Sequence, residues 1–448
     1  MLTGLKVIFL ALSTLAVAAA SLPIGFDPAH WPGEKPPSPA YKELIARLRD
    51  AQNQRDSNQV RQIALKIQQY LGNYAGIPQT KPVYGSPIER GTPDLSAATA
   101  LNWKAFEIMR GKNAWDLAVK AKPYGQPRLR VTTRTVVSDL RAFEAGLPQS
   151  EEYRNTALQG LNYLLAQQAS TGVFGYPYNP NAKGAVSSQA LNLVRQGESR
   201  GLKMVEGSWI IDDGEDGGLQ FDNGEAGAAL LYGYVLTGDS RYLQAARHAA
   251  DWAIGRPIVP NWNYNSYSGY LLARMYRVTG ERKYLDAAVD KFELGVLPGQ
   301  MENGRWVDQH NARPQYHALM TRNLVEYLLA LQQAKDPRVK NVRHHTILAL
   351  DSLAEEQIRY GASNAEEGLP LEALSSGLLA LGTNPRWAEA ADIQVNYEIN
   401  HLLPATIGKW PEEPHPEVLT DYILARKVQE HEARACEIAV AKCIGGLK

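Results

Sequence analysis

The densest group of reactive side chains in the sequence lies in the stretch WVDQHNARPQYH, Trp306–His317. It combines histidine, arginine, amide and tyrosine side chains, and it has no periodic apolar face. Imidazole and phenol groups transfer protons, whereas amide and guanidinium groups hydrogen-bond to carboxylates. We therefore interpret this stretch as a loop that binds an acidic group and moves a proton beside it.

The end of this stretch begins a helical pattern, because Pro314 is typical of a first helical turn. Tyr316 and His317 are adjacent, so their side chains point in different directions on a helix, and only one readily faces a central site. We expect Tyr316 to face it, supported by His310, with His317 as the second choice. The remaining polar members, which can alternatively cap helices or pair with acidic neighbours, are Asn311, Arg313 and Gln315.

A second cluster, PNWNYNSYSGY, combines aromatic and amide side chains around the start of another predicted helix. Aromatic rings offer flat faces to a ligand ring, and amides reach hydroxyl or carboxylate groups. The alternative is that Tyr267 and Tyr270 belong to the core, which is the interpretation that we prefer for Tyr270. The candidate ligand contacts are Trp262, Asn263, Tyr264, Asn265 and Tyr267.

A third cluster, DDGEDGGLQFDNGEAG, is acidic. Its spacing does not match the alternating acids of a calcium-binding EF-hand loop, and we expect no bound metal. Glu225 is predicted to lie in the first turn of the following helix, where a carboxylate interacts favourably with the helix dipole. The alternative is that Asp222, Glu225 or Asp213 form a pair of carboxylates that act as acid and base in glycoside hydrolysis.

Helical periodicity dominates the chain from Pro39 onward, and the best strand candidate is RLRVTTRTVV, residues 128–137. An internal repeat is present, because LTGDSRYLQAARHAADWAIG (Leu236–Gly255) returns 42 residues later as VTGERKYLDAAVDKFELGVL (Val278–Leu297). A period of this length indicates stacked helical hairpins. The long polar loops recur on alternate connections, which favours a closed ring over an open solenoid. We predict an all-α toroid of six or seven (α/α) hairpins.

The N-terminus has the order of a secretory signal: Lys6, a short apolar run, and then small residues. We expect residues 1–20 to be a signal peptide and residues 21–448 to form one toroid domain of a secreted or periplasmic monomer without a membrane anchor. Lysine plus arginine equals aspartate plus glutamate, at 47 each, which argues against a nucleic-acid partner. Cys436 and Cys443 can form a disulfide only if a helix ends between them.

The repeats, together with LNYLLAQQASTGVFGYP before them, resemble the (α/α) toroid superfamily of carbohydrate-active proteins over roughly Tyr153 to Leu403. NWNYNSYSGYLLARMY and DQHNARPQYHALMTRNLVEYL look most like toroid polysaccharide lyases that act on uronate polymers of the alginate or glucuronan type. The resemblance implies β-elimination on an anionic polysaccharide with no organic cofactor.

Such a lyase removes the proton on C5 of a uronate, beside a carboxylate that the site must neutralise. Under this hypothesis Tyr316 is the base and acid, and His310, Asn311 and Arg313 bind the carboxylate. The second cluster supplies substrate contacts, joined by His317 and Gln315. The alternatives are a glycoside hydrolase using the acidic pair, an epimerase, and a sugar-binding protein without turnover.

Overall fold

The computed structural model describes residues 26–111, 126–174, 176–177, 204–205, 208–209, 217–364, 369–402, 404 and 419–426. The predicted signal peptide, both cysteines and the acidic residues at 212–216 lie outside these ranges.

Helices make up most of the described chain. In order they are α1 (Pro39–Asn53), α2 (Ser57–Leu71), α3 (Leu95–Gly111), α4 (Gln126–Glu144), α5 (Ser150–Gln167), α6 (Gly217–Thr237), α7 (Ser240–Ile254), α8 (Trp262–Thr279), α9 (Arg282–Gly295), α10 (Pro314–Ala334), α11 (Val339–Tyr360), α12 (Leu369–Leu381) and α13 (Pro385–Tyr397). Shorter elements are 3-10 turns at Pro28–His30, Gly72–Tyr74 and Leu297–Gly299, a π-helical turn at Glu398–Leu402, and strands β1 (Tyr176–Pro177), β2 (Met204–Val205) and β3 (Ser208–Trp209).

Ten of these helices form hairpins whose first members pack side by side. Helix α4 packs against α6, α6 against α8, α8 against α10, and α10 against α12. The second members, α5, α7, α9, α11 and α13, lie outside and pack against their own partners. This inner and outer layering is the predicted (α/α) toroid, and the all-α fold class is confirmed.

The helical segment 419–426 closes the ring between its last and first hairpins. The guanidinium of Arg141 in α4 lies 3.1 Å from the carboxylate of Asp421. On the other side, the Tyr422 hydroxyl donates a 2.6 Å hydrogen bond to Asp392 of α13. The segment contacts α4 on one side and α13 on the other, so with the five inner helices it makes six helical segments around the ring within the described residues. The α1–α2 hairpin packs outside the ring, against α9 and the turn that follows it.

The internal repeat has a structural cause. The Asp239 amide donates to the Thr237 hydroxyl, and the Glu281 amide donates to the Thr279 hydroxyl, each at 3.2 Å. The glycines between them have φ of 74° and 71°, a conformation that glycine adopts without strain. Each turn links an inner helix to the outer helix of the same hairpin, so the repeat marks one end of the ring.

The strand prediction for residues 128–137 is wrong, because these residues lie within α4. The Thr133 hydroxyl donates to the Leu129 carbonyl four residues earlier, as is usual for threonine in a helix. Valine and threonine are enriched in strands, so a run of β-branched residues resembles a strand even where packing in the ring makes it a helix. The three short strands form a small antiparallel sheet in the order β1-β3-β2, elsewhere in the chain.

None of the helices in the described residues combines the length and the apolar composition that crossing a bilayer requires.

Candidate active site

The stretch Trp306–His317 lies in the long connection between α9 and α10. Helix α10 begins at Pro314, as predicted, with Arg313 as its N-cap residue in an extended conformation. The connection therefore delivers its side chains to the N-terminal end of the inner helices, opposite the short turns of the repeat.

Three predicted site residues contact one another at this end of α10. The rings of His310 and Tyr316 stack with centroids 4.6 Å apart. The guanidinium carbon of Arg313 lies 4.3 Å from the centroid of the Tyr316 ring. One Arg313 nitrogen lies 3.4 Å from Nδ1 of His310, and another donates to the His310 carbonyl oxygen at 3.3 Å. A cation and an imidazole thus flank the tyrosine ring, which is half-buried.

Burial of the imidazole lowers the pKa of His310 below its ordinary value; the Asp308 carboxylate opposes this shift, and the Arg313 cation adds to it. His310 is therefore neutral near pH 7 and is able to accept a proton.

The two asparagines predicted to act in the site bond to each other. Asn263 Nδ2 donates to Asn311 Oδ1 at 2.8 Å. Asn311 Nδ2 in turn donates to the Asp308 carboxylate and to Asn261 Oδ1, at 3.0 Å each. Both Asn263 and Asn311 are buried, so in this structure they hold the loop against the start of α8 and orient Asp308.

Three predicted ligand contacts lie in the core instead. Trp262 is buried, and a Cβ added at Gly299 would meet its indole ring at 2.5 Å. Asn265 is buried and donates to the carbonyls of Val259 and Gly295 at 2.7 and 2.9 Å. Protein covers nearly the whole surface of both side chains, although Trp262 still lines a small cleft between the ring and the α1–α2 hairpin. Tyr267 is likewise fully buried, which agrees with its alternative interpretation as a core residue.

Tyr316 and His317 do point in different directions. His317 is fully buried, and its ring packs edge-on against Trp306 with centroids 5.4 Å apart. Gln315 is half-buried in the same first turn, and Tyr264 is half-buried at the start of α8. Of the adjacent pair, Tyr316 is therefore the one placed with His310 and Arg313.

The acidic pair lies inside α6 and not in the first turn of a helix, because α6 already begins at Gly217. Asp222 forms an ion pair with Arg130 at 2.6 Å, and Glu225 forms one with Arg134 at 3.2 Å. Both carboxylates are buried, and both arginines come from the neighbouring inner helix α4. The pair thus links two inner helices by charge.

The centre of the ring contains residues that sequence reasoning missed. A cavity of about 430 Å³ extends toward the short-turn end and is lined by Tyr270, Arg274 and Arg322, among others. Arg274 donates to the Tyr270 hydroxyl at 3.0 Å, and Arg322 donates to Glu372 at 2.7 Å. Tyr270 therefore lines the cavity and also packs against the hydrophobic core, in line with its interpretation as a core residue. The available signal was the four-residue spacing of Tyr270 and Arg274 on one helix face.

No protein-family model matches the sequence, and no curated protein matches it. Among solved structures, the chain is similar to a family 76 α-mannanase from Bacteroides thetaiotaomicron, with 12% identity, a TM-score of 0.47, and coverage of 77% of this chain and 98% of that one. It is also similar to a polysaccharide lyase, with 11% identity, a TM-score of 0.48, and coverage of 74% and 96%. An unsaturated glucuronyl hydrolase from Streptococcus agalactiae matches with 11% identity, a TM-score of 0.45, and coverage of 78% and 96%.

Proposed function

We propose that the protein is an exported carbohydrate-active enzyme, a lyase that cleaves a uronate-containing polysaccharide of the alginate or glucuronan type by β-elimination. The observation that carries this proposal is the contact of Tyr316 with both His310 and Arg313 at the N-terminal end of α10. It brings together, in one place, a phenol, a neutral imidazole and a cation.

The elimination assigns a role to each of the three side chains. The phenolate oxygen of Tyr316 takes the proton from C5, and the electron pair of the C5–H bond forms the C4–C5 double bond. The C4–O bond breaks, and its oxygen receives the proton from the Tyr316 hydroxyl. Arg313 stabilises negative charge on both the phenolate and the substrate carboxylate. His310 hydrogen-bonds to that carboxylate or relays the phenol proton.

The hydrolase alternative has less support from the geometry. A retaining or inverting hydrolase needs one carboxylic acid that holds a proton for the leaving group. Asp222 and Glu225 each form an ion pair with an arginine of α4. These pairs are better explained as links between α4 and α6 than as the acid and base of a hydrolase.

The test is ultraviolet absorbance of the new double bond, followed over time with mature protein and a panel of alginate, glucuronan, pectate and uronic glycosaminoglycans. We expect absorbance to rise on at least one polymer and to stop rising in the Tyr316→Phe variant, because phenylalanine keeps the ring but has no proton to transfer. The matched control is Tyr276→Phe, which removes a hydroxyl from a half-buried tyrosine in the last turn of α8.

The two variants should melt at the same temperature as the unmodified protein. A flat absorbance trace across the panel, accompanied by new reducing ends, would assign the protein to the hydrolases. Full turnover in Tyr316→Phe would remove this residue from the chemistry.

A further inference from the structure

A second cleft lies beside the candidate active site, between the ring and the α1–α2 hairpin that packs outside it. Its volume is about 300 Å³, which is the lower end of the range of small-ligand pockets and suits one ligand ring better than several. His310 lines this cleft and also stacks on Tyr316. A ligand in the cleft therefore lies next to whatever unit contacts Tyr316.

The two walls of the cleft differ in polarity. The wall from the outer hairpin is apolar and aromatic, formed by Tyr41, Ile45 and Ile67. The Tyr41 ring stacks on Tyr70 with centroids 5.4 Å apart, which fixes its orientation. The wall from the ring is mixed, because Asn261 and Asp308 supply polar atoms and Trp262 and Tyr264 supply aromatic rings. A pyranose ring presents the same two kinds of surface, with C–H groups on its faces and hydroxyls around its edge.

The charge of the cleft is negative. Asp308 is a carboxylate on the wall that the ring contributes, and no lysine or arginine of the described chain lines the cleft. Burial raises the pKa of Tyr41, and the Asp308 charge raises it further, so the negative charge acts across the cleft. Asp308 accepts hydrogen bonds from the backbone amide and the side-chain amide of Asn311, at 2.9 and 3.0 Å. A carboxylate has about four acceptor positions, so it keeps the capacity to accept from a ligand hydroxyl.

We propose that this cleft binds a neutral sugar unit that neighbours the uronate, with Tyr41 stacking on the ring and Asp308 accepting from its hydroxyls. This inference rests on the elimination chemistry of the proposed function but changes its substrate class. Every unit of alginate or glucuronan carries a carboxylate, whereas this cleft favours polymers in which a uronate is joined to a sugar without one. A second uronate in the cleft is repelled by Asp308. The outer hairpin, which is additional to the ring, thus contributes to substrate selection.

The test measures binding, so it does not depend on turnover. Full-length Tyr316→Phe protein is titrated calorimetrically with the methyl glycosides of glucose, mannose and galactose, and with the matching methyl uronides. We expect at least one neutral glycoside to bind about tenfold more tightly than its uronide, as expected for one unfavourable charge pair at partial exposure. In Asp308→Asn this ratio should fall to near one.

Replacing Tyr41 with alanine should weaken binding of the neutral glycoside about tenfold through loss of the stacking face. Tyr276→Ala, at the far end of α8, should leave it unchanged. Equal binding of glycoside and uronide with Asp308 in place would overturn the proposal, as would unchanged affinity in Tyr41→Ala. If neutral sugars bind but no polymer is cleaved by elimination, the lyase assignment alone is wrong. If elimination occurs but neutral sugars do not bind, only the assignment of the cleft is wrong.

Discussion

The guanidinium of Arg305 donates a hydrogen bond to the carboxylate of Glu356, and both side chains are buried. Arg305 also donates to the backbone oxygens of Gly76 and Ala312, at 2.8 Å each. This one side chain therefore ties the connection between α9 and α10 to two distant parts of the chain, the segment after α2 and helix α11.

Replacing Arg305 with methionine should destabilise the protein strongly, because Glu356 then remains buried without its counter-charge. We expect the free energy of unfolding to fall by about 3–5 kcal/mol, measured by urea denaturation. Arg55→Met, which breaks an exposed pair with Asp290, is the control and should change it by less than about 1 kcal/mol. Similar losses in the two variants would show that the buried pair is not a special support of the loop.

Arg313→Gln should lower kcat/KM by about 100-fold, the usual effect of removing one group that stabilises developing charge. The guanidinium is half-buried at the helix start, so the melting temperature should change little. Elimination is followed by ultraviolet absorbance, with Arg55→Gln, an exposed arginine in the α1–α2 turn, as the control. An unchanged kcat/KM would leave Arg313 as a partner of the His310 and Tyr316 rings only.

Glu225→Gln separates the lyase from the hydrolase hypothesis. If Glu225 serves only to pair with Arg134, the variant loses stability, by about 3 kcal/mol for a largely buried pair, but it retains elimination per folded molecule. If Glu225 is the hydrolytic acid or base, formation of reducing ends disappears instead. Elimination and the formation of reducing ends are both measured below the temperature at which the variant begins to unfold. The double variant Glu225→Gln with Arg134→Gln should recover part of the lost stability, because it no longer buries an arginine whose carboxylate partner has been removed.

Stability should fall as the pH drops below about 6.5. Burial lowers the pKa of His317 well below its ordinary value of 6.5, and the Arg305 cation lowers it further. Between the two pKa values the unfolded chain binds a proton that the folded chain does not, so the free energy of unfolding decreases with decreasing pH. His310 and His345 are shifted in the same direction.

The measurement is thermal unfolding between pH 7.5 and pH 5 for the unmodified protein and for His317→Met, a neutral side chain of similar size. The variant should lose less stability on acidification, since one of the shifted groups is gone. If the unmodified protein and His317→Met show the same dependence of stability on pH, the loss of stability in acid comes from residues other than His317.

The architecture could be predicted from the sequence because its repeat is tied to a local structure. The Thr-Gly turn needs a left-handed glycine and a threonine that bonds to the next amide, and both are visible as residue types. By contrast, the residue types of α4 favour a strand, because valine and threonine are enriched in strands. Packing between the neighbouring hairpins overrides this local preference and makes the segment helical.

Within the candidate site, the local part was predictable and the long-range part was not. Tyr316, His310 and Arg313 lie within seven residues, so their spacing alone favoured contact. The burial of Trp262 and Asn265 depends on Gly299 and Gly295, which come from another connection. Which residues cover a given side chain depends on how the hairpins pack together, and the residue types within one stretch of sequence do not reveal that packing.

The closure of the ring has a consequence for how the chain is made. Ser138 and Thr420 are 282 positions apart in sequence, yet their hydroxyls lie 3.5 Å from each other. During synthesis, we expect the hairpins that follow α4 to emerge in order and to pack by local contacts. The side of α4 that contacts the segment 419–426 is covered only after that segment has been synthesised. Contacts of such high sequence separation form late and slowly. We therefore expect a ribosome-bound chain that stops before residue 419 to expose the surface of α4 that this segment covers, and to be bound there by chaperones that recognise apolar helix surfaces.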